Sequence, residues 1–357
     1  MTTKKILFGA TSFADRVRYG ESMAVHTTLG VGGEADYFIE AKTSEELIEL
    51  IVLSRDAGVE FTVLGSGSNV LIADTGYRGL IICNRASSWH IVTPNAVSFA
   101  PAITTETTSS SPQNSYSRWN LIQQKESTLG YDENEYPVTL VRADSGALLQ
   151  RLMLELFAAG ITGLEWFAGI PATVGGAIFM NLHGGQRFFG DVVVQARLLD
   201  PAGTIRNEPQ TYFRFAYDWS ILHDSGEIVI DAILKLRRGP VELARTMMLR
   251  WMAQKNRVQP KRSSGCIFQN LSKAEQIKLN LPTTSAGYFI DVCLKLKGFR
   301  IGGAMISMEH GNFMVNAGRA SADDFIKLIS EVKHRANQMF GLTLKEEVRY
   351  LGFSKVK

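Results

Sequence analysis

Two glycine-rich turns contain the residues whose types and spacing most directly indicate chemistry. The first follows a strand-like run at 61–64 and reads Gly65-Ser66-Gly67-Ser68-Asn69. Glycine at such a turn permits a positive φ and lets bare backbone N–H groups come close to a ligand. The second turn is another run of small residues able to point successive amides at an anion, and it reads Gly169-Ile170-Pro171-Ala172-Thr173-Val174-Gly175-Gly176-Ala177.

Taken together, the two turns favour one long ligand with a pyrophosphate in its middle, such as FAD. Either turn alone is also compatible with an ordinary tight loop. The first is not a Rossmann fingerprint, because Val70 stands where a third glycine is required, and no Gly-Lys-Ser/Thr follows it as in a P-loop. The residues expected to bind FAD are Gly65, Ser66, Gly67, Ser68, Asn69, Gly169, Ile170, Pro171, Thr173, Gly175, Gly176 and Ala177.

Composition restricts the class of protein. The 357 residues are 45% hydrophobic and 20% charged, which is typical of a globular chain with two or three compact units. The net charge of +3 without a polybasic tract gives no support for nucleic acid or a membrane as partner, and the sequence leaves the oligomeric state open. We expect neither a signal peptide nor a membrane helix. Cys83, Cys266 and Cys293 are few and widely spaced, which favours a reduced, cytoplasmic protein with no metal site.

Local patterns predict the elements that position the two turns. A strand at 35–41, a helix capped by Thr43 and ended by Gly58, and a strand at 59–64 form a β-α-β unit that delivers the first turn. A strand at 138–143 and a helix at 146–159 precede the second turn. A helix at 241–254, glycine-punctuated strands within 265–318 and a helix from Ser321 to Phe340 then predict a third unit.

These patterns predict an α+β protein with the following divisions. We expect an N-terminal arm at 1–22, a first cofactor subdomain at 23–85 and a second at 86–238. The second carries an insertion at about 101–135 that is rich in Thr, Ser, Pro and Gln and lacks periodicity. A substrate domain at 239–340 and a C-terminal segment at 341–357 complete the chain.

The order of six segments resembles the UDP-N-acetylenolpyruvoylglucosamine reductase family, also called UDP-N-acetylmuramate dehydrogenases. These segments are HTTLGVGGEADY at 26–37, LGSGSNVLIADTGYRGL at 64–80, GLEWFAGIPATVGGAIFMN at 163–181, SGCIFQN at 264–270, LKGFRIGGAMISMEHGNFMVN at 296–316 and FGLTLKEEVRYLG at 340–352. The resemblance implies a two-part FAD-binding region of the type shared with vanillyl-alcohol oxidase, plus a C-terminal α+β substrate-binding domain. It also implies NADPH as reductant, a UDP-sugar substrate and a step in peptidoglycan precursor synthesis.

The resemblance assigns roles to individual residues. Cys266 corresponds to the serine or cysteine that donates a proton to the substrate, and Glu347, beside Glu346, to the glutamate that assists it. A buried structural cysteine and an exposed charged strand are the alternatives. Lys255 and Arg257 are expected near the diphosphate, with a solvated basic turn as the alternative, and Asn312 is expected to contact the sugar or phosphate.

One segment departs from the family pattern at a chemically important position. The family has Phe-x-Tyr-Arg-x-Ser, whereas this chain has Phe215-Ala216-Tyr217-Asp218-Trp219-Ser220. Tyr217 keeps its expected catalytic place, but Asp218 replaces the arginine that stabilises the substrate carboxylate, which reverses the sign of the charge. Arg214 is a substitute if the segment is helical. A second departure is Leu182-His183-Gly184-Gly185 after the second turn, where small residues are usual.

Three functions therefore remain open from the sequence. We favour the family reaction, with Cys266, Glu347 and Tyr217 as catalytic residues. A FAD-dependent oxidoreductase of the same fold acting on another nucleotide-sugar or secondary metabolite is the second hypothesis. A flavin-binding protein without catalysis is the third.

Overall fold

The computed structural model describes residues 8, 11–93, 132–185, 187–260 and 262–353. The expected insertion at 101–135 lies outside this part of the chain apart from 132–135. Among the described residues, buried apolar side chains form clusters that lie mainly within each of the three regions described next and partly cross between them.

The first region is a mixed sheet with a helix packed on it, as the β-α-β pattern predicts. The strand order is β1-β2-β5-β3, with β2 and β3 both parallel to β5. The bounds are β1 Arg18–Ser22, β2 Glu34–Ala41, α1 Ser44–Asp56, β3 Phe61–Leu64, β4 Val70–Ile72 and β5 Tyr77–Asn84. Thr43 caps α1 by accepting from the N–H of Glu46 at 3.2 Å. The first glycine turn connects β3 to β4, so it lies at the carboxyl end of a sheet strand.

The second region is an antiparallel sheet covered by two helices. Its strand order is β11-β10-β12-β7-β6. The bounds are β6 Trp89–Val92, β7 Val138–Asp144, α2 Leu149–Ala158, α3 Val174–Met180, β8 His183–Gly184, β9 Arg187–Phe188, β10 Val193–Leu199, β11 Ile205–Pro209, α4 Leu222–Ser225 and β12 Ile228–Arg237. The second glycine turn leads into α3, which places it beside this sheet.

The third region combines a small sheet with the longest helices. The sheet order is β13-β16-β15-β14. The bounds are α5 Val241–Val258, β13 Ser263–Cys266, α6 Lys273–Lys278, α7 Ala286–Tyr288, β14 Arg300–Ile301, β15 Ala304–Ile306, β16 Phe313–Asn316 and α8 Ala322–Phe340. Helix α8 begins after Ser321 and ends at Gly341, as the sequence predicts. Among the described residues, no helix has both the length and the apolar character needed to cross a membrane.

The chain returns to the first region after α8. Residues 345–347 lie antiparallel to 267–269, since the N–H of Gln269 donates to the carbonyl of Lys345 at 2.9 Å and that of Glu347 to the carbonyl of Ile267 at 2.8 Å. Strand β17, Arg349–Leu351, then pairs in parallel with β4. The segment that carries Glu347 is thereby fixed to both the third region and the first glycine turn.

Asp74, in the turn after β4, provides a second link between these regions. Its carboxylate accepts from the N–H of Ala322 at 2.8 Å and from that of Asp323 at 2.9 Å. Both N–H groups belong to the first turn of α8 and have no acceptor inside the helix. The helix dipole also favours a negative charge at this position.

We expect Asp74→Ala to lower the free energy of unfolding by about 1–2 kcal/mol, because it leaves two helix-terminal N–H groups without their charged acceptor. The measurement is urea unfolding of the FAD-loaded protein. Asp74→Asn, which keeps one acceptor oxygen, should lose less, and Glu49→Ala on the exposed face of α1 serves as the control. Equal stability of the Asp74→Ala and Glu49→Ala proteins would show that this link does not stabilise the fold.

Candidate active site

The two glycine turns lie against each other. The Ser66 hydroxyl donates to the carbonyl of Pro171 at 2.5 Å. A Cβ placed on Gly65 would be 2.7 Å from the Thr173 hydroxyl oxygen, so only glycine permits this approach. The tertiary structure thus makes one surface from two segments that are far apart in sequence.

The first turn has the properties of an anion cradle. Gly67 has φ +66°, and a Cβ there would be 1.9 Å from the carbonyl oxygen of His26. Within the described part of the chain, the backbone N–H groups of residues 66–69 have no protein acceptor, and the buried side-chain oxygen of Asn69 has no hydrogen-bond partner. Unused donors together with an orphaned buried oxygen fit a bound pyrophosphate and its attached groups.

The second turn differs from its prediction. Most of its amides already have acceptors within the protein: Gly175 N–H donates to the carbonyl of Ser145 at 2.7 Å and Gly176 N–H to the Thr173 hydroxyl at 3.2 Å. The Thr173 side chain thereby caps α3. Small residues here allow close packing against the first turn and the neighbouring helix, and contact of this segment with FAD stays a prediction.

Cys266 lies at the end of β13, next to the returning C-terminal segment. Burial raises the pKa of the thiol well above its ordinary value, and the nearby carboxylates of Glu347 and Asp218 act in the same direction. A hydrogen bond involving Asn312 opposes them. The thiol therefore keeps its proton at neutral pH, as a proton donor requires.

Glu347 lies between Cys266 and the first glycine turn. The side-chain amide of Asn69 donates to its backbone carbonyl at 3.2 Å. Burial, followed by the charge of Asp218, raises the pKa of the Glu347 carboxyl well above its usual range. The carboxyl therefore holds its proton to higher pH than an ordinary glutamate does. Glu346, the neighbour that the sequence could confuse with it, instead pairs with Lys333 at 2.5 Å and is excluded from this role.

Tyr217 and Asp218 occupy the tip of a tight turn. The backbone N–H groups and carbonyls of Ala216 and Trp219 bond each other at 3.0 and 3.3 Å, and Asp218 has φ +50°. Aspartate tolerates this left-handed conformation better than most residues. The Tyr217 ring is partly exposed, while its hydroxyl accepts from the Asn270 amide at 2.9 Å. Burial of the hydroxyl, with help from the Asp218 charge, raises the Tyr217 pKa.

The carboxylate of Asp218 is buried and meets a residue that sequence reasoning did not select. Asp218 is 5% exposed, and one of its oxygens lies 3.2 Å from Nδ1 of His183. Its second oxygen is buried and has no partner among the described residues. The only signal for His183 in the sequence was its departure from the small residues usual in the family.

Arg214 does not take the place of the family arginine that is replaced here by Asp218. The segment 214–220 is not helical, because Arg214 has φ +46° and ends a short 3-10 turn. Arg214 also lines a surface pocket together with Glu208 and Tyr212. The hypothesis that Arg214 substitutes through local helicity is therefore wrong.

The three residues expected to bind substrate lie in different environments. Helix α5 extends a turn beyond its predicted end and includes Lys255, which is 5% exposed and donates to the carbonyl of Ala168 at 2.7 Å. Burial lowers the pKa of Lys255 to about 7, so the alternative of a solvated basic turn is wrong for this residue. Arg257 is exposed in the last turn of α5. The Asn312 amide bonds the backbone N–H and carbonyl of Phe268 at 3.0 and 2.7 Å, which positions β13; a contact with substrate stays a prediction.

We expect Gly67→Ala to lose most of its bound FAD, because the added Cβ would overlap the carbonyl of His26 and move the amides of residues 66–69. The measurement is flavin absorbance per mole of purified protein. Gly203→Ala is a matched control, since Gly203 also has a positive φ (+89°) but nothing lies within 4 Å of the new Cβ. Full flavin content in Gly67→Ala would contradict this assignment of the cradle.

Comparisons with known proteins identify two parts of the chain. A family model described as "FAD binding domain" matches residues 132–207, and one described as "UDP-N-acetylenolpyruvoylglucosamine reductase, C-terminal domain" matches residues 258–351. Both come in the order expected for the α+β fold with a two-part FAD-binding region.

Full-length relatives and a solved structure extend the match. The UDP-N-acetylenolpyruvoylglucosamine reductase of Desulfosudis oleivorans is 33% identical, with 96% of each chain covered, and that of a Synechococcus species is 32% identical, covering 99% of this chain and 97% of the relative. The crystal structure of the reductase from Thermus caldophilus matches with a TM-score of 0.66 at 29% identity, covering 94% of this chain and 99% of the other. The chain therefore belongs to the UDP-N-acetylenolpyruvoylglucosamine reductase family.

Proposed function

We propose that this protein reduces UDP-N-acetylglucosamine enolpyruvate to UDP-N-acetylmuramate, with FAD as cofactor and NADPH as reductant, in peptidoglycan precursor synthesis. The observation that carries the proposal is the convergence of Cys266, Glu347 and Tyr217 beside the first glycine turn. Proton-bearing groups from three distant segments meet there next to the place that fits a flavin nucleotide. The site is that of a reductase that must also protonate its product.

The cofactor would be held mainly by the first turn. Residues 66–69 offer free backbone N–H groups for a pyrophosphate, and the turn from Gly169 to Ala177 closes the other side. Bound there, FAD supplies the hydride that NADPH provides. What the chain's own residues add is placement of the substrate, charge stabilisation and a proton.

The proton donor in this proposal is Cys266. Reduction of the enolpyruvyl double bond leaves negative charge that develops toward the substrate carboxylate, and the carbon next to the new C–H bond needs a proton. A thiol whose pKa is raised by burial and by Glu347 carries that proton at neutral pH. Asn312 holds the strand of Cys266 in place through the backbone of Phe268.

Glu347 and Tyr217 stabilise the developing charge. The raised pKa lets Glu347 hold its proton to higher pH, and in its acid form it offers a hydrogen bond without adding a negative charge. The Tyr217 oxygen accepts from Asn270, which leaves its own proton free to be donated to a ligand. Two neutral O–H donors at one place act like the donors of an oxyanion hole.

The UDP part of the substrate is assigned to the third region. Lys255, at the turn that begins with Gly169, and the exposed Arg257 are the cations we propose for the diphosphate. In this scheme residues 23–238 bind the cofactor, 239–340 bind the substrate and 341–357 bring in Glu347. We expect the protein to act in the cytoplasm, where its nucleotide substrates are made.

Cys266→Ala should reoxidise with the enolpyruvyl substrate about 10²–10⁴-fold more slowly than wild type, the range expected for a lost general acid. Reduction of its flavin by NADPH should be unchanged. The measurement is anaerobic stopped-flow absorbance of each half-reaction. Cys266→Ser should keep much of the rate because it retains an O–H donor, and Cys293→Ala is the control.

Two results would contradict this scheme. A normal rate in Cys266→Ala would remove the thiol as proton donor. A wild-type protein that NADPH reduces but the enolpyruvyl substrate does not reoxidise would instead favour an oxidoreductase of the same fold with another substrate.

In Asp218→Asn, the fall in reoxidation rate at alkaline pH should begin at a lower pH than in wild type. Cys266 and Glu347 act with their protons on, and the Asp218 charge is one cause of their raised pKa values. Removing that charge lowers both pKa values, so the protons are lost earlier as pH rises. The measurement is the pH profile of the oxidative half-reaction, with Asp224→Asn on an exposed site as control. An unshifted profile would show that Asp218 does not act on these groups.

A further inference from the structure

The site described above has acidic groups but needs a positive one. Hydride addition to an enolpyruvyl group increases the negative charge that must be carried at its carboxylate. Asp218, Glu347, Cys266 and Tyr217 are each anionic or neutral, and their charges influence one another. A buried carboxylate such as Asp218 also needs a counter-charge of its own.

Three cations of the first, second and third regions have other contacts, and Lys255 is already assigned above to the diphosphate. Lys255 donates to the carbonyl of Ala168. Arg187 lies 3.5 Å from the carboxylate of Glu133 and over the ring of Trp166. Arg349 lies over the ring of Phe179, 5.4 Å from its centre. Each of these side chains already has a partner within the described residues.

His183 is different, because it contacts Asp218 directly and remains accessible. Its Nδ1 lies 3.2 Å from the Asp218 carboxylate, and its ring lies 5.3 Å from that of Tyr217. The His183 side chain is 38% exposed, whereas that of Asp218 is 3% exposed. Among the described residues, its Nε2 has no hydrogen-bond partner. An ionised carboxylate only accepts, so Nδ1 carries the proton on the Asp218 side.

The fold fixes this pair from both sides. Asn181, at the end of α3, donates its amide to the carbonyl of Ala216 at 2.8 Å and accepts from the N–H of Gly190 at 3.0 Å. It thus ties the segment of His183 to the turn of Asp218. Gly184 follows directly, and a Cβ there would be 2.1 Å from the carbonyl oxygen of Trp166, which restricts where the backbone of His183 lies.

We propose that His183, oriented by its contact with Asp218, binds the carboxylate of the enolpyruvyl substrate by donating from Nε2. The inference rests on the proposed function and adds a substrate-binding residue to it. In this arrangement Asp218 contacts Nδ1 of the imidazole, so its negative charge lies on the other side of the ring from the substrate carboxylate. The two departures from the family pattern, at 183 and 218, then act together: Asp218 orients the ring and His183 meets the ligand.

The test compares two ligands that differ in the carboxylate. UDP-N-acetylmuramate has the lactyl carboxylate, and UDP-N-acetylglucosamine has none. Their affinities for the FAD-loaded protein are measured by isothermal titration for wild type, His183→Ala, His183→Gln and His183→Lys. His90→Ala, on the exposed strand β6, is the control. Flavin content shows that each variant is folded.

We expect His183→Ala and His183→Gln to bind UDP-N-acetylmuramate about tenfold or more weakly, as for loss of a hydrogen bond to a charged group. Their affinity for UDP-N-acetylglucosamine should stay at the wild-type level. His183→Lys should recover part of the loss. Equal weakening of both ligands would indicate a merely structural histidine and overturn the inference, and so would an unchanged affinity for UDP-N-acetylmuramate.

A kinetic measurement separates this inference from the function on which it rests. Wild type that is not reoxidised by the enolpyruvyl substrate would overturn the proposed function and the inference together. Wild type that is reoxidised, with His183→Gln equally fast at all substrate concentrations, would overturn the inference alone. Slower reoxidation in His183→Gln with unchanged reduction by NADPH would support it.

Discussion

The parallel pairing of β17 with β4 is the contact on which the arrangement of the site depends. Just before this pairing, residues 345–347 lie along residues 267–269. One short segment is therefore hydrogen-bonded first to the residues that follow Cys266 and then to β4, the strand after the first glycine turn. Glu347 lies between these two contacts. Asp74 adds a second connection by capping α8 from the same side. Cys266, Glu347 and the first glycine turn are therefore connected by backbone hydrogen bonds, although they come from distant parts of the chain.

Charge is distributed in this frame in a way that favours protonated acids. Asp218 is buried and paired, and its field makes deprotonation of Cys266 and Glu347 harder. The proton transfer to carbon proposed above benefits from this arrangement, because a raised pKa keeps a donor protonated to higher pH. The same carboxylate orients His183. From the sequence, the negative charge of Asp218 is expected to repel the substrate carboxylate. In the structure, Asp218 raises the pKa of two neighbouring acids and contacts His183.

The two glycine turns illustrate how similar composition can serve different ends. In the first, the amides are free and a carbonyl of residue 26 excludes any side chain at Gly67. In the second, amides donate to Thr173, the residue that caps α3, and to the loop before α2. Its small residues therefore provide close packing rather than free donors. Composition cannot distinguish these cases, because whether an N–H group is free depends on acceptors from distant parts of the chain.

The sequence alone determined the features that rest on local interactions or on motifs. Helix α8 begins and ends where Ser321 and Gly341 predict, since capping is a property of a few adjacent residues. The family, FAD and the candidates Cys266, Glu347 and Tyr217 also followed from segments that can be read in order. Only the tertiary structure decided that Arg214 is turned elsewhere, that Lys255 is buried in a longer helix and that His183 contacts Asp218. Those outcomes depend on burial and on contacts between segments far apart in the chain, which no local pattern encodes.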